Sequence, residues 1–263
     1  MAVLAKKWNM STAVFAERIA EASSHPKARI TGVVYLLYFL TAVVGELLLK
    51  GLVVERDAAI TANNILAHES LFRVGLAIGL ISTVCYVAVT ALFYDLFKPV
   101  NRSLSLLAAF FSLVGCAILA FASLFRLAAL VVLGGGPYLS VFKVEQLRAL
   151  AFLFLELYGQ AVCICFVFFG VYCLLIGYLI FKSIFLPPIL GVMMAAAGLG
   201  WLTFLSPPLA NYLSPYVLVL GFLAELGLML WLLVKGVNVP RWKEQASAAR
   251  KPASVVAAVG LGC

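Results

Sequence analysis

LSLLAAFFSLVGCAILAFASLFRLAALVVL, residues Leu104–Leu133, holds a single charge, Arg126, in thirty positions. As an α-helix rising 1.5 Å per residue it is about 45 Å long, against about 30 Å for the hydrocarbon core of a bilayer. No water-soluble core of ordinary size accommodates such a run, so it sets the class of the chain. The composition agrees: 65% of the 263 residues are hydrophobic and 11% charged, with a mean hydropathy of +1.11. Soluble domains are about half apolar and a quarter charged.

Working outward from this run, apolar segments long enough to cross a membrane recur on both sides. Six spans are predicted, at about Ile30–Leu49, Val74–Phe97, Leu104–Leu133, Leu157–Phe181, Ile189–Leu205 and Tyr216–Val234. The fold class is therefore an all-α, polytopic transmembrane helical bundle. Residues 1–28 form a charged leader without a short apolar stretch and small-residue cleavage site, so a removable signal peptide is not expected. Ser11 as an N-cap and Phe15 and Ile19 at i,i+4 spacing make an interfacial helix one reading of that leader, a solvated basic arm the other. Residues 29–235 are the membrane domain, and 236–263 a polar tail expected to be flexible and cytoplasmic.

Lysine and arginine set the expected orientation. With the N-terminus inside, thirteen of the nineteen fall on inner segments, among them Arg29, Lys98, Arg102, Lys182 and Lys235. Five fall on outer segments, namely Lys50, Arg56, Arg73, Lys143 and Arg148. That asymmetry predicts both termini in the cytoplasm. The net charge of +8 then serves topology and contact with anionic headgroups, and no nucleic-acid surface is expected. The six cysteines form no C-x-x-C pair, and five of them lie inside spans, where cysteine behaves as a small hydrophobe. The only histidines, His25 and His68, fall on opposite sides of the membrane in this topology, so neither a metal site nor a cofactor is expected.

The inner basic residues also act as depth markers. Counting up from Arg102 carries Arg126 to the outer boundary, and counting from Lys182 carries Glu156 to about the same level. Glu46 lies within a turn of the outer end of the first span; Arg73 lies just outside the second, beside His68 and Glu69. Glu225, ten residues from Lys235, is expected near mid-membrane. The candidate ligand-binding residues are accordingly Arg126, Glu156, Glu46, Glu225, Arg73, Glu69 and His68, and no catalytic residue is assigned. Helical spacing gives these charges polar or small companions: Thr31, Tyr35 and Ala42 with Glu46; Ser105, Ser112 and Gly115 with Arg126; Gly159, Gln160 and Cys163 with Glu156; Gly221 with Glu225. Such faces pack against helices or line a cavity. Two readings of Arg126 stay open, an interhelical clamp with Glu156 or Glu46 as partner, and a polar pocket open to the outside.

The segments ARITGVVYLLYFLTAVVGE (28–46), HESLFRVG (68–75), LFKPVNRSLSLLAAFF (96–111) and FFGVYCLLIGYLIFKSIFLPPILGVMMAAAGLGWL (168–202) resemble a bacterial multipass membrane family catalogued as domain of unknown function 4386. HESLFR and FKPVNR are the more specific pieces. The resemblance implies a bacterial cytoplasmic-membrane protein and carries no activity or site. Three functional classes follow from the residues. The chain binds or transports a small amphiphile or lipid in its outer pocket. Alternatively it is an intramembrane enzyme using Glu225, Glu156 or His68 as acid or base. The third is a non-catalytic partner or sensor subunit. Partners are thus the bilayer and a lipid-like ligand; the sequence sets no oligomeric state.

Overall fold

A computed structural model describes residues 28–250. The leader helix expected around Ser11, as well as His25 and Cys263, lies outside the described residues. The chain forms α1 (Ala28–Leu49), α2 (Ala58–Ala67), α3 (Glu69–Phe97), α4 (Arg102–Leu133), α5 (Val144–Lys182), α6 (Pro188–Leu202), α7 (Pro207–Val234) and α8 (Val239–Arg250). No strand occurs among the described residues. Six of these helices are long and apolar enough to cross a membrane: α1, α3, α4, α5, α6 with its 3-10 extension to Leu205, and α7.

The spans alternate in direction, so the bundle has two ends. One holds Arg29, Lys98, Arg102, Lys182 and Lys235 and is called the basic end; the other holds Gly134–Gly136 and is called the glycine end. At the basic end the three spans that finish there close on the same device. Lys98 lies over the Tyr94 ring, Lys182 over Tyr178 and Lys235 over Trp231, each pair one helical turn apart. An aromatic ring with an ammonium above it suits the headgroup level, where one side of the residue is apolar and the other wet.

Gly236, at φ 67°, stops α7 by donating its N–H to Trp231 O at 3.0 Å, a conformation that glycine adopts without steric cost. Beyond it, α8 lies across the basic end. Trp242 Nε1 donates to Leu96 O at 3.0 Å, and Gln245 accepts from Ile184 N at 3.2 Å while donating to Lys182 O at 3.3 Å. The first half of the polar tail is thus a helix that satisfies the open backbone of the α5–α6 turn.

Two elements depart from the sequence expectation. α5 runs unbroken for 39 residues, beginning 13 residues ahead of the fourth span predicted from about Leu157. Its first turns carry Glu145 and Arg148, yet Leu147, Leu150, Ala151 and Leu155 pack there against Ala129, Leu130 and Val132 of α4. The projecting end of α4 receives its apolar cover in this way, with Ile65 of α2 and Phe72 of α3 completing the cluster. PPLANYLSP (207–215), which lies ahead of the sixth span predicted from about Tyr216, is the start of α7. Pro207 and Pro208 stand in the first turn, where a missing N–H costs nothing, and Pro215 alone falls inside the helix.

α5 and α6 touch backbone to backbone. A Cβ on Gly177 would lie 2.7 Å from Gly191 O, and one on Gly198 2.7 Å from Gly170 O. The sequence carries this as Gly-x6-Gly on each helix, which brings two antiparallel helices together at two points two turns apart. α1 and α7 meet similarly near the basic end, where a Cβ on Gly32 would lie 2.6 Å from Leu233 N.

Candidate functional site

Toward the glycine end, backbone contact between α1 and α7 gives way to side chains, with the rings of Phe39 and Phe222 5.4 Å apart. Past these rings a cavity of about 370 Å³ enters the bundle. Its walls come from α1 (Tyr38, Ala42), α3 (Tyr86), α4 (Cys116, Leu119), α5 (Phe169), α6 (Trp201) and α7 (Glu225). Small residues make the room. The Trp201 ring lies directly on Gly221, where any Cβ would collide with it, and Phe169 lies over Gly115.

The lining is apolar with a few polar groups. Glu225 is half-buried and has no ion-pair partner among the described residues. The Tyr35 phenol stands beside its carboxyl without the geometry of a closed hydrogen bond. Near it the hydroxyls of Tyr35, Tyr86 and Tyr172 are buried without a closed hydrogen bond among the described residues, and Nε1 of Trp201, on the cavity wall, is a fourth such atom. The three phenol rings adjoin one another, with Tyr86 6.3 Å from Tyr35 and 6.2 Å from Tyr172. Native proteins leave few such atoms unpaired, so three adjoining phenols in this state near a carboxyl are a functional signal.

A second recess of about 510 Å³ adjoins this cavity at the glycine end, lined by Glu46, Lys50, Arg126 and Phe72 among others. Val43 and Glu46 belong to both spaces. Glu46 therefore stands where the recess meets the cavity, and Arg126 faces it. Arg126 Nη1 donates to Glu46 Oε1 at 3.3 Å, with longer contacts from Nη2. The guanidinium lies 3.7 Å from the centre of the Tyr158 ring. Its side chain is 15% exposed and that of Glu46 66%.

The predicted residues thus separate into three groups. Arg126 and Glu46 meet at the recess, and Glu225 lies deeper in the adjoining cavity. Arg73 and Glu69 pair with each other on the surface at 2.7 Å, beside exposed His68, whose Nδ1 lies 3.1 Å from Asn64 O. Glu156 is exposed, as are Gly159 and Gln160, so the face they were expected to pack is turned outward. The partner that α5 offers Arg126 is Tyr158. Counting residues along a helix gives height, and the two-residue offset from Glu156 to Tyr158 is about 200° of rotation, which height does not report.

The aromatic groups were missed by sequence reasoning, although the same ruler reaches them. Tyr172 is ten residues from Lys182, Tyr86 twelve from Lys98 and Glu225 ten from Lys235, so all lie about 15–18 Å above the basic end. Applied to charges alone, the ruler passed over them. Among the described residues no three His, Cys, Asp or Glu side chains gather as a metal would require. Cys116 and Cys165 border the cavity as free thiols, and Cys165 Sγ donates to Gly115 O at 3.2 Å.

An uncharacterized protein of Archaeoglobus fulgidus is 28% identical over 153 residues, which span 57% of this chain and 76% of that one. No solved structure matches the chain. The family described as "Domain of unknown function (DUF4386)" matches residues 30–236, from α1 to the end of α7 and so including every wall of the cavity. The chain belongs to this family.

Proposed function

We propose that this multi-pass membrane protein binds a small amphiphile in the cavity between α1 and α7, reached from the glycine end. The carrying observation is a space of about 370 Å³ with aromatic walls and one unpaired carboxyl, Glu225. Small-molecule sites have this size and this mixture of apolar wall and few polar groups. Val43, Leu218 and Phe222 border the cavity and are also exposed on the outer surface of the bundle, which gives an apolar ligand a lateral route from the bilayer. The charge asymmetry supports a cytoplasmic membrane with both termini inside, so that the recess at Arg126 opens outward.

In this reading Arg126 is a clamp at the entrance, since its charge is met by Glu46 and its face by Tyr158. Native mass spectrometry of the purified protein tests the proposal. The wild type is expected to carry a small-molecule adduct that Ala42→Phe, which fills the cavity, removes while Arg126→Ala retains it. A wild type free of adduct, or an adduct that survives Ala42→Phe, overturns it.

A further inference from the structure

The chemistry of the walls narrows the class of ligand. Aromatic side chains from five helices surround the cavity: Tyr38, Tyr86, Phe169, Phe166, Trp201 and Phe222. Tyr38 and Tyr86 meet at 4.5 Å between ring centres, Tyr86 and Phe169 at 5.0 Å, and Phe166 and Trp201 at 4.6 Å, so the rings form nearly continuous patches. Among the described residues no lysine, arginine or histidine lines this space, although the chain carries a net charge of +8. Its two charged residues are both carboxylates, and Glu46 is already matched by Arg126. Glu225 is left to set the sign of the site. An anionic ligand would meet a carboxylate and the electron-rich faces of the rings, and both repel it. A cation meets attraction from both, because the face of an aromatic ring is the negative pole of its quadrupole and a half-buried carboxylate without an ion-pair partner attracts a counter-charge.

The buried polar atoms are a second, independent observation. Tyr86 and Trp201 border the cavity, are 3% and 7% exposed, and carry a hydroxyl and an indole N–H with no partner in the described residues. Tyr35, fully buried beside Glu225, carries another unpaired hydroxyl. A phenol oxygen accepts a hydrogen bond as well as donating one. Tyr35 and Tyr86 therefore offer acceptors to the N–H groups of an ammonium that Glu225 neutralises, while the rings hold an apolar body.

From this we infer that the cavity takes an organic ammonium ion with an aromatic or alkyl body, its nitrogen at Glu225. The inference rests on the proposal that the cavity binds an amphiphile, and it adds the sign and chemical class of that ligand. Arg126, a candidate ligand-binding residue in the sequence, lies outside the cavity's walls and keeps its own counter-ion.

Isothermal titration into phosphatidylglycerol nanodiscs, with empty discs as reference, tests it on three probes of similar shape: 2-phenylethylammonium, 2-phenylethanol and phenylacetate. The ammonium is expected to bind the wild type at least tenfold more tightly than the alcohol, with the carboxylate weakest. Glu225→Gln is expected to abolish the preference, Glu225→Asp to keep most of it, and Glu145→Gln, remote on the first turn of α5, to leave it intact. Equal binding of ammonium and alcohol, or a preference that survives Glu225→Gln, overturns the ammonium assignment and leaves the cavity as an amphiphile site. Failure of all three probes to bind overturns the assignment, and absence of the mass-spectrometric adduct as well removes the site itself. Adding phosphatidylethanolamine separates the two sources of this chemistry: competition with the probe identifies a lipid headgroup as occupant, and unchanged binding identifies a free amine.

Discussion

At Arg126 two interactions compete for the role of clamp, and their magnitudes rank them. An ion pair with one partner mostly exposed contributes about 0–1 kcal/mol, and at 3.3 Å with Glu46 largely exposed this pair belongs there. A guanidinium stacked on a ring and largely removed from water contributes about 1–2 kcal/mol, and Arg126 sits 3.7 Å from the Tyr158 ring centre. Thermal unfolding in detergent should therefore show Arg126→Ala and Tyr158→Ala each losing about 1–2 kcal/mol, and Glu46→Gln less than about 1 kcal/mol. A larger loss for Glu46→Gln than for Tyr158→Ala would reverse the ranking. Sequence alone brought Arg126 and Glu46 to the same level and named Glu46 as a partner. It missed Tyr158, because depth counting selects ionisable residues and a cation held by a ring leaves no second charge to find.

Among the elements, glycines separate positions that set packing from positions that do not. Gly177 and Gly191 face each other's backbone, so a side chain at either forces α5 and α6 apart. Gly177→Val is expected to lower stability by about 2–3 kcal/mol or to prevent a monodisperse peak in size-exclusion chromatography. Gly159 has open space where a Cβ would go, so Gly159→Ala should be neutral or stabilising by about 0.5–1 kcal/mol through helix propensity. Equal loss for both substitutions would show that the Gly-x6-Gly register does not govern this contact. The six spans were legible because hydropathy over twenty residues is a one-dimensional property. The length of α5 was not: Lys143, Glu145 and Arg148 end an apolar run on paper, whereas the helix continues because α4 projects beside it and Arg148 Nη2 reaches Asn63 Oδ1 of α2 at 3.1 Å.

For the molecule as a whole, the charge asymmetry predicts which end faces outward, and labelling tests it. In a background carrying Cys263→Ser, Tyr138→Cys at the exposed glycine-end loop should react with a membrane-impermeant maleimide on intact cells, whereas Ser247→Cys on α8 should react only after permeabilisation. The converse pattern would invert the topology and place the recess on the cytoplasmic side. The levels of Glu46, Arg126 and Glu225 were expected from the sequence, and the cavity and recess they border were not, because these depend on how α1, α3, α4, α5, α6 and α7 are rotated against one another. Its walls also come from the first and the last of the spans, with Tyr38 and Glu225 separated by 187 positions. At about 5–20 residues per second a ribosome needs roughly 10–40 s to travel between them. Until α7 is made, Gly32 and Phe39 of α1 lack the partners they meet on that helix, although Tyr35 and Tyr38 already have Tyr86 of α3 to pack on. A chain truncated before α7 lacks Glu225 and the α7 wall of the cavity, so the proposed binding is expected to require that span.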